Sequence, residues 1–352
     1  MGFFNFFKTN TQDLGIDLGT VNTLVCTATK GVVLREPSVV AIDNSQSPPQ
    51  LIEVGMAARD MIGRTPSHIQ ATRPLRDGVI AEFEWAELML KKFIEKVAGG
   101  PGSAGLRPGR IVIGLPSGVT EVERRAVGDT AYAAQARVVN LVPETIAAAL
   151  GAGMPVEKPT GSMVIDMGGG TTDIAVLSLN GIVVAKSLRI AGDELNENIQ
   201  DYLKRRHNLS IGERTAEAIK IKLGSGVPFE EEQEMEVRGL NLLNGLPHTV
   251  KITSIEIREC LNDTLMQIVQ GVKSTLEVTP PELAADIVDR GIILAGGGAL
   301  LSGLDKLISR EVEVPVHIAT DPLSCVVLGT EKLLNDPTYK PILQATEYDP
   351  RL

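Results

Sequence analysis

Two aspartates, Asp17 and Asp166, each sit near the end of a short apolar run and are followed by a glycine-threonine turn. The first stretch reads Leu14-Gly15-Ile16-Asp17-Leu18-Gly19-Thr20-Val21-Asn22-Thr23-Leu24-Val25. The second reads Met163-Val164-Ile165-Asp166-Met167-Gly168-Gly169-Gly170-Thr171-Thr172-Asp173-Ile174-Ala175-Val176-Leu177. β-prone residues flank each turn, so each stretch reads as a hairpin. A turn without Cβ atoms bends tightly and lets several backbone N–H groups converge on one anion. The hydroxyls of Thr171 and Thr172 add donors. An aspartate beside such a turn is a hard oxygen ligand of the kind that holds Mg²⁺ through its waters. One glycine-rich hairpin tip is weak evidence; two with matched aspartates describe a phosphate clamp. The repeat predicts two similarly built halves, each offering a hairpin to a cleft between them.

A third glycine turn lies in Gly291-Ile292-Ile293-Leu294-Ala295-Gly296-Gly297-Gly298-Ala299-Leu300. It reads as strand, turn, then helix, with the backbone free to lie against a flat ring or an α-phosphate. Leu301 stands where a dinucleotide fingerprint needs its last glycine, and no G-x-x-x-x-G-K-[ST] occurs, which excludes a P-loop.

The remaining elements must hold these turns. Helices are predicted over 82–97, 120–135 (Thr120 as N-cap), 193–206, 211–223, 254–277 and 322–334. A strand is predicted over 111–116 and a flexible breaker over 99–105. Leu141 to Leu150 enters a helix of small residues that allows the close packing of a hinge, with Glu144 at its start, where an acidic side chain suits the helix dipole. Glu217 and Lys220 are i, i+3 on one helix face, by default a surface ion pair. The last helix is expected to return to the first domain, and the tail from Asp336 to be frayed.

At 352 residues the chain is long enough for two cores. Its 43% hydrophobic and 22% charged composition is that of a soluble globular protein, and a net charge of −10 argues against a general nucleic-acid binder. Cys26, Cys260 and Cys325 are scattered and odd in number, which fits buried thiols in a reducing compartment. The four histidines have no metal-ligand spacing, no apolar run reaches the ~18 residues of a membrane helix, and the N-terminus lacks a secretory pattern. Phe3, Phe4, Phe6 and Phe7 do share a helical arc of about 160°. Each would be worth ~1.5–3 kcal/mol if removed from water, so the segment reads as an interfacial anchor, weak in one copy and strong in many.

With these turns, Glu36-Pro37-Ser38-Val39-Val40-Ala41, Gly63-Arg64-Thr65-Pro66, Arg73-Pro74, Asp77-Gly78-Val79-Ile80-Ala81, Val122-Glu123-Arg124-Arg125-Ala126 and Pro280-Pro281-Glu282-Leu283-Ala284 complete a pattern. It resembles the bacterial actin family MreB, within the actin, sugar-kinase and heat-shock-chaperone ATPase superfamily, over nearly the whole chain. The resemblance implies an α/β, duplicated ribonuclease-H-like fold of two domains, each with a small inserted subdomain. The expected layout is a membrane-interacting segment over 1–10 and domain I over 11–148, with its subdomain at about 35–75. Domain II follows over 149–318, with its subdomain at about 186–245, then a returning helix over 319–335 and a tail over 336–352.

The resemblance further implies ATP and Mg²⁺ as cofactors. Asp17 and Asp166 would hold Mg²⁺ through water. Gly19, Thr20, Val21 and Asn22, with Gly168, Gly169, Gly170, Thr171 and Thr172, would wrap the phosphates. Glu217, Ala218, Ile219 and Lys220 would meet the ribose and adenine side, and Gly296, Gly297, Gly298, Ala299 and Leu300 the base and α-phosphate. Glu144 would orient or activate the attacking water, helped by Thr171. One departure stands out: the family usually reads Glu-Glu-Pro where this chain reads Pro143-Glu144-Thr145, which puts the helix start and the hydrolysis rate in question.

By the same resemblance the protein would be a slow ATPase forming paired protofilaments on the inner face of the cell membrane, with helix 120–135 near the lateral contact. It would help determine cell shape through membrane-embedded elongation and wall-synthesis proteins, with no nucleic-acid partner. Leu106 is the one apolar residue of the 99–110 loop able to insert into lipid, so the phenylalanines would carry most of the attachment. The alternatives are a DNA-segregation actin, which has less use for an apolar N-terminus, and a soluble small-molecule kinase, which needs a specific substrate pocket.

Overall fold

The computed structural model describes residues 12–76, 78–97 and 108–351; Phe3, Phe4, Phe6, Phe7 and Leu106 lie outside them. The chain divides into two units. One takes the chain up to Leu115, Val119–Gly151 and Val326–Leu352, and the other takes Pro116–Gly118 and Ala152–Cys325.

In the first unit, β1 (Gln12–Leu18), β2 (Asn22–Thr27) and β3 (Gly31–Pro37) form an antiparallel meander whose first bend is the Gly19 turn. A small sheet of β4 (Val40–Asp43), β5 (Gln50–Val54) and β6 (Ile69–Thr72) follows, with α1 (Met56–Met61), and then a short hairpin of β7 (Leu75–Arg76) and β8 (Val79–Ile80). The chain continues through α2 (Phe83–Val97), β9 (Pro108–Leu115), α3 (Glu121–Ala133), β10 (Val138–Pro143) and α4 (Glu144–Gly151). β9 adds parallel to β1, and β10 parallel to β9. The core places Ile16, Val25, Ile111, Ile113 and Leu141 of the sheet with Met89, Leu90 and Phe93 of α2 and Val127 and Ala131 of α3. Thr120 caps α3 in a reciprocal capping box with Glu123, as its sequence suggests.

The second unit repeats the plan. β11 (Ser162–Met167), β12 (Thr172–Ser178) and β13 (Gly181–Leu188) form the meander, and β17 (Ile292–Ala295) and β18 (Val316–Ile318) add in parallel. Between β13 and β17 run α5 (Gly192–His207), β14 (Leu209–Ser210), α6 (Glu213–Leu223), β15 (Glu234–Asn241), β16 (Pro247–Thr253), α7 (Ser254–Glu277) and α8 (Pro281–Arg290). α9 (Leu304–Val312) links β17 to β18. Both main sheets have the order third–second–first–fourth–fifth of their own strands, so the duplication announced by the two aspartate turns extends to the topology. Met163, Ile165, Met167, Ile174 and Val176 pack with Leu195, Ile199, Ile268 and Val272 of α5 and α7. Alternation then sends Val164 and Asp166 to the opposite face.

α10 (Cys325–Asn335) follows a 3₁₀ turn, Pro322–Ser324. From Val326 onward it belongs to the first unit, where it lies so close to α4 that a Cβ on Gly329 would stand 1.8 Å from the Ala147 carbonyl oxygen. The segment beyond it is not frayed. It folds into a 3₁₀ turn (Pro337–Tyr339), α11 (Lys340–Ala345) and β19 (Glu347–Tyr348), which pairs antiparallel with the outer edge of β10. The Tyr348 ring occupies the space a Cβ on Gly128 would fill, its hydroxyl donates to Asp129 Oδ1 at 2.9 Å, and its carbonyl accepts from the Tyr132 hydroxyl at 3.1 Å. Buried Asn140 donates to the Leu343 carbonyl at 2.6 Å. Short elements containing proline give little local signal; a glycine on α3 and an open sheet edge supply the order. Removing the ring and hydroxyl with Tyr348→Ala should cost about 1.5 kcal/mol of local stability. Chymotryptic cleavage after buried Leu343 should then run about tenfold faster, because cleavage follows the open population; an unchanged rate would mean the tail is held elsewhere.

Candidate functional site

In the second unit the β11–β12 turn is held from three sides. The first N–H groups of α5 donate to it, Gly192 N to Gly168 O at 3.2 Å and Asp193 N to Gly169 O at 2.8 Å. Lys220 of α6 reaches over and donates its Nζ to Gly192 O at 2.7 Å. The third glycine turn presses on the end of β11. A Cβ on Gly296, where φ is +78°, would lie 2.3 Å from Met167 O and 2.5 Å from Asp166 Oδ1, and one on Gly298 would lie 2.2 Å from Met167 Cγ. Two of these three glycines are therefore required by protein packing, whatever ligand they also admit.

With those carbonyls engaged, the turn's own N–H groups point elsewhere. Gly168 N closes the turn on Thr171 O at 2.8 Å, while the N–H groups of Gly169, Gly170 and Thr171 find no backbone acceptor among the described residues. Three consecutive donors without a backbone acceptor suit an anion.

Two carboxyls adjoin it. Asp166 and Asp173 are directly opposed across β11 and β12, and both are buried. Burial pushes the Asp173 carboxyl up, opposed by the Ser117 N–H and by the hydroxyls of Thr171, Ser187 and Ser117. Like charges facing each other on adjacent strands are unfavourable unless a cation or a proton intervenes.

Three of the expected site residues have side chains that are engaged or buried within the protein. The Thr172 hydroxyl is not available to a ligand as a donor: it is fully buried and donates to the Ile190 carbonyl at 2.6 Å. The Ile219 and Ala299 side chains are core residues at 0% exposure, so only their backbones remain for contact. Glu217, Ala218 and Lys220 stay on the outer part of α6, and Leu300 is well exposed. The glycine turn is also followed by a 3₁₀ segment, Gly297–Leu300, before α9 begins.

In the first unit the Gly19 turn is clamped by Ser38, whose hydroxyl donates to Gly19 O at 2.6 Å and whose N–H donates to Val21 O at 2.9 Å. Thr20 Oγ1 accepts the Gly78 N–H at 3.1 Å. Asp17 lies one residue before the end of β1, and burial pushes its pKa up to about 7 against the pull of the Arg35 guanidinium. Glu144 opens α4 and is largely buried, at 9% exposure. A Cβ on Gly114 of β9 would stand 3.1 Å from Glu144 Cγ, so a glycine there leaves the carboxylate its room. Pro143 ends β10, opposite Leu115, and α4 starts at the next residue. The strand thus continues further than the sequence reading, which already entered a helix at Leu141.

A family model described as MreB/Mbl protein matches residues 11–340. The chain belongs to the MreB/Mbl family. Over 325 residues it is 50% identical to the cell shape-determining protein Mbl of Bacillus cereus, covering 92% of this chain and 96% of that one. It is also 50% identical over 326 residues to the cell shape-determining protein MreB of Escherichia coli K12, at 92% and 93% coverage. Among solved structures it is similar to MreB5 of Spiroplasma citri bound to AMPPNP, with a TM-score of 0.87, 38% identity and coverage of 95% and 98%. The fold is accordingly the actin-like ATPase fold that the duplicated sheets describe. Within this MreB/Mbl chain, Asp173, Ser117 and Ser187 escaped sequence reading. One signal was visible: a charged residue inside the Val/Ile/Ala-rich strand β12 should have a reason to be there.

Proposed function

We propose that this chain is an ATP-binding, slowly ATP-hydrolysing actin that forms membrane-associated filaments and helps set cell shape by organising wall synthesis. The observation that carries this reading is the row of free N–H donors at Gly169, Gly170 and Thr171 beside the opposed Asp166 and Asp173, in a chain whose structural relative binds AMPPNP. Phosphoryl transfer depends on positioning and charge neutralisation more than on covalent chemistry. Thr20, Val21 and Asn22, with Gly168–Thr171, wrap the phosphates; Glu217 and Lys220 meet the ribose and base side; Glu144 orients the attacking water, with Thr171 beside it.

The donor set fits Mg²⁺. Asp17 and Asp166 are hard oxygen ligands, and Asp17, whose carboxyl burial pushes up, would gain from a neighbouring cation. Among the described residues no group of three acidic, His or Cys side chains is gathered to hold a metal, and Asp17 and Asp166 would hold the ion through water. When bound, it neutralises phosphate charge.

No helix among the described residues is long and apolar enough to cross a membrane. Attachment to the inner face of the cell membrane is assigned to Phe3, Phe4, Phe6 and Phe7, with membrane-embedded elongation and wall-synthesis proteins as partners. Pelleting with Mg·ATP and lipid vesicles tests the whole reading: filaments should sediment and float with vesicles, and no polymer with any nucleotide would refute it. Deleting residues 2–7 should cut vesicle binding at least about tenfold while ATP affinity stays within about twofold, because each phenylalanine contributes separately to insertion. Persistent binding would move the anchor to Leu106 or another surface.

A further inference from the structure

Asp173 has no role of its own in the reading above, yet it is an ionisable side chain, 1% exposed, in the middle of a sheet. Its Oδ1 accepts the Ser117 N–H at 2.8 Å. Its Oδ2 is buried and makes no hydrogen bond of ordinary geometry among the described residues, although the Thr171 and Ser187 hydroxyls lie near enough to the carboxyl to favour its charged form. Such an atom is expensive to retain unless a partner replaces the hydration it lost. A purely structural tie to Ser117 needs one acceptor and would be served by an asparagine, whose amide could also satisfy the second position. The carboxylate calls for another explanation.

Its neighbours on the same face supply one. Ser187 is its cross-strand partner on β13 and Asp166 its partner on β11. Thr171 lies two residues earlier, just before β12, and its hydroxyl favours the charged form of the Asp173 carboxyl. Ser117 completes the ring from the Pro116–Gly118 segment, where a Cβ on Gly118 would stand 2.9 Å from Ser187 Cβ. Of these groups, Thr171 adjoins the free N–H donors of the turn.

A hydroxyl has one donor and two acceptor sites, and its rotor is fixed only by what receives the proton. We propose that Asp173 is the positioning residue for Thr171: its Oδ2 accepts the Thr171 hydroxyl proton and so leaves that oxygen's lone pairs facing the site. Thr171 then acts as an acceptor, aligning the attacking water by taking a hydrogen bond from it, rather than as a donor to phosphate. A carboxylate enforces that polarity because it cannot donate; an asparagine amide can, and would allow the reverse. The inference rests on the ATPase reading, and it names the group that sets the direction of one of its hydrogen bonds.

The test is a double-mutant cycle on the full chain with Asp173→Asn and Thr171→Val, each read for ATP affinity and for single-turnover phosphate release. Asp173→Asn should keep ATP affinity within about threefold and slow phosphate release at least about tenfold, the scale set by misplacing a reacting group. In the Thr171→Val background the same change should cost less than about twofold, because residues that act as a unit are non-additive. Unchanged release in Asp173→Asn, a parallel loss of ATP affinity, or losses that multiply in the double variant would each overturn the assignment. The unmutated chain with AMPPNP gives a readout independent of variant folding. Asp173 Oδ2 and Thr171 Oγ1 should lie within about 3.0 Å, and a separation beyond about 3.5 Å overturns the proposal. An unmutated chain that neither binds nor hydrolyses ATP would instead refute the function on which it rests.

Discussion

Glu144→Gln is expected to leave ATP affinity within about threefold and to slow phosphate release by about a hundredfold or more, the usual scale for losing a positioned proton acceptor. Three features single out this carboxylate. It is the first residue of α4, where the helix dipole favours a negative charge. It is largely buried, so bulk water does not screen what it does. It also has space reserved by Gly114 on the neighbouring strand. Glutamine keeps the shape and removes the charge and the basicity, which separates orientation chemistry from packing. Rapid-quench phosphate release beside an equilibrium nucleotide titration would read both quantities. A variant that hydrolyses normally would move catalysis away from α4, and one that loses binding would make Glu144 a binding group.

The second large effect belongs to Gly329→Ala. In the middle of an ordinary helix this change stabilises by ~1 kcal/mol, since glycine is the poorer helix former. At this position the new methyl would lie 1.8 Å from the Ala147 carbonyl oxygen and 2.5 Å from its carbonyl carbon. Those are backbone atoms of α4, with no rotamer to move away. Overpacking of that kind costs 1–3 kcal/mol or more, and here α4 and α10 must part to relieve it. A net loss of about 2 kcal/mol should lower Tm by ~4–8 °C in calorimetry. Phosphate release should fall with it, because α4 carries Glu144 at its first turn. A higher Tm would show that the two helices can separate at little cost.

Much of this architecture was readable before any coordinates. The turns after Asp17 and Asp166 are glycine-rich and flanked by β-formers, so local chemistry alone sets both hairpins, and their repetition carries the duplicated sheet order. The Thr120–Glu123 box and the long periodic helices are local in the same sense. What escaped depends on tertiary contact. β10 extends to Pro143 because Leu115 offers it a parallel partner, which no run of apolar residues reveals. Thr172 looked like a phosphate ligand by its neighbourhood, but the nearby Ile190 carbonyl accepts its hydroxyl's hydrogen bond. Lys220 read as one member of an i, i+3 pair on α6, and the spacing could not show that it also donates to a carbonyl at the start of α5, a contact between different elements. Ile219 sits among candidate contact residues on α6, but helical geometry turns it to the core. Asp173 was hidden because its meaning lies in two flanking strands and a distant loop.

The docked β19 strand has a practical bearing on how this protein can be labelled. Two residues of backbone pairing and one tyrosine cover the outer edge of β10, and an uncovered edge is a template for joining another strand. A fluorescent domain fused directly after Tyr348 would pull on that seam and could turn a monomer pool into aggregates mistaken for filaments. The Asn244–Gly245 bend between β15 and β16 is solvent-exposed, with open space around Gly245, and an insertion there leaves the seam shut. Imaging with the label at that bend would test the proposed polymer free of one that the tag creates.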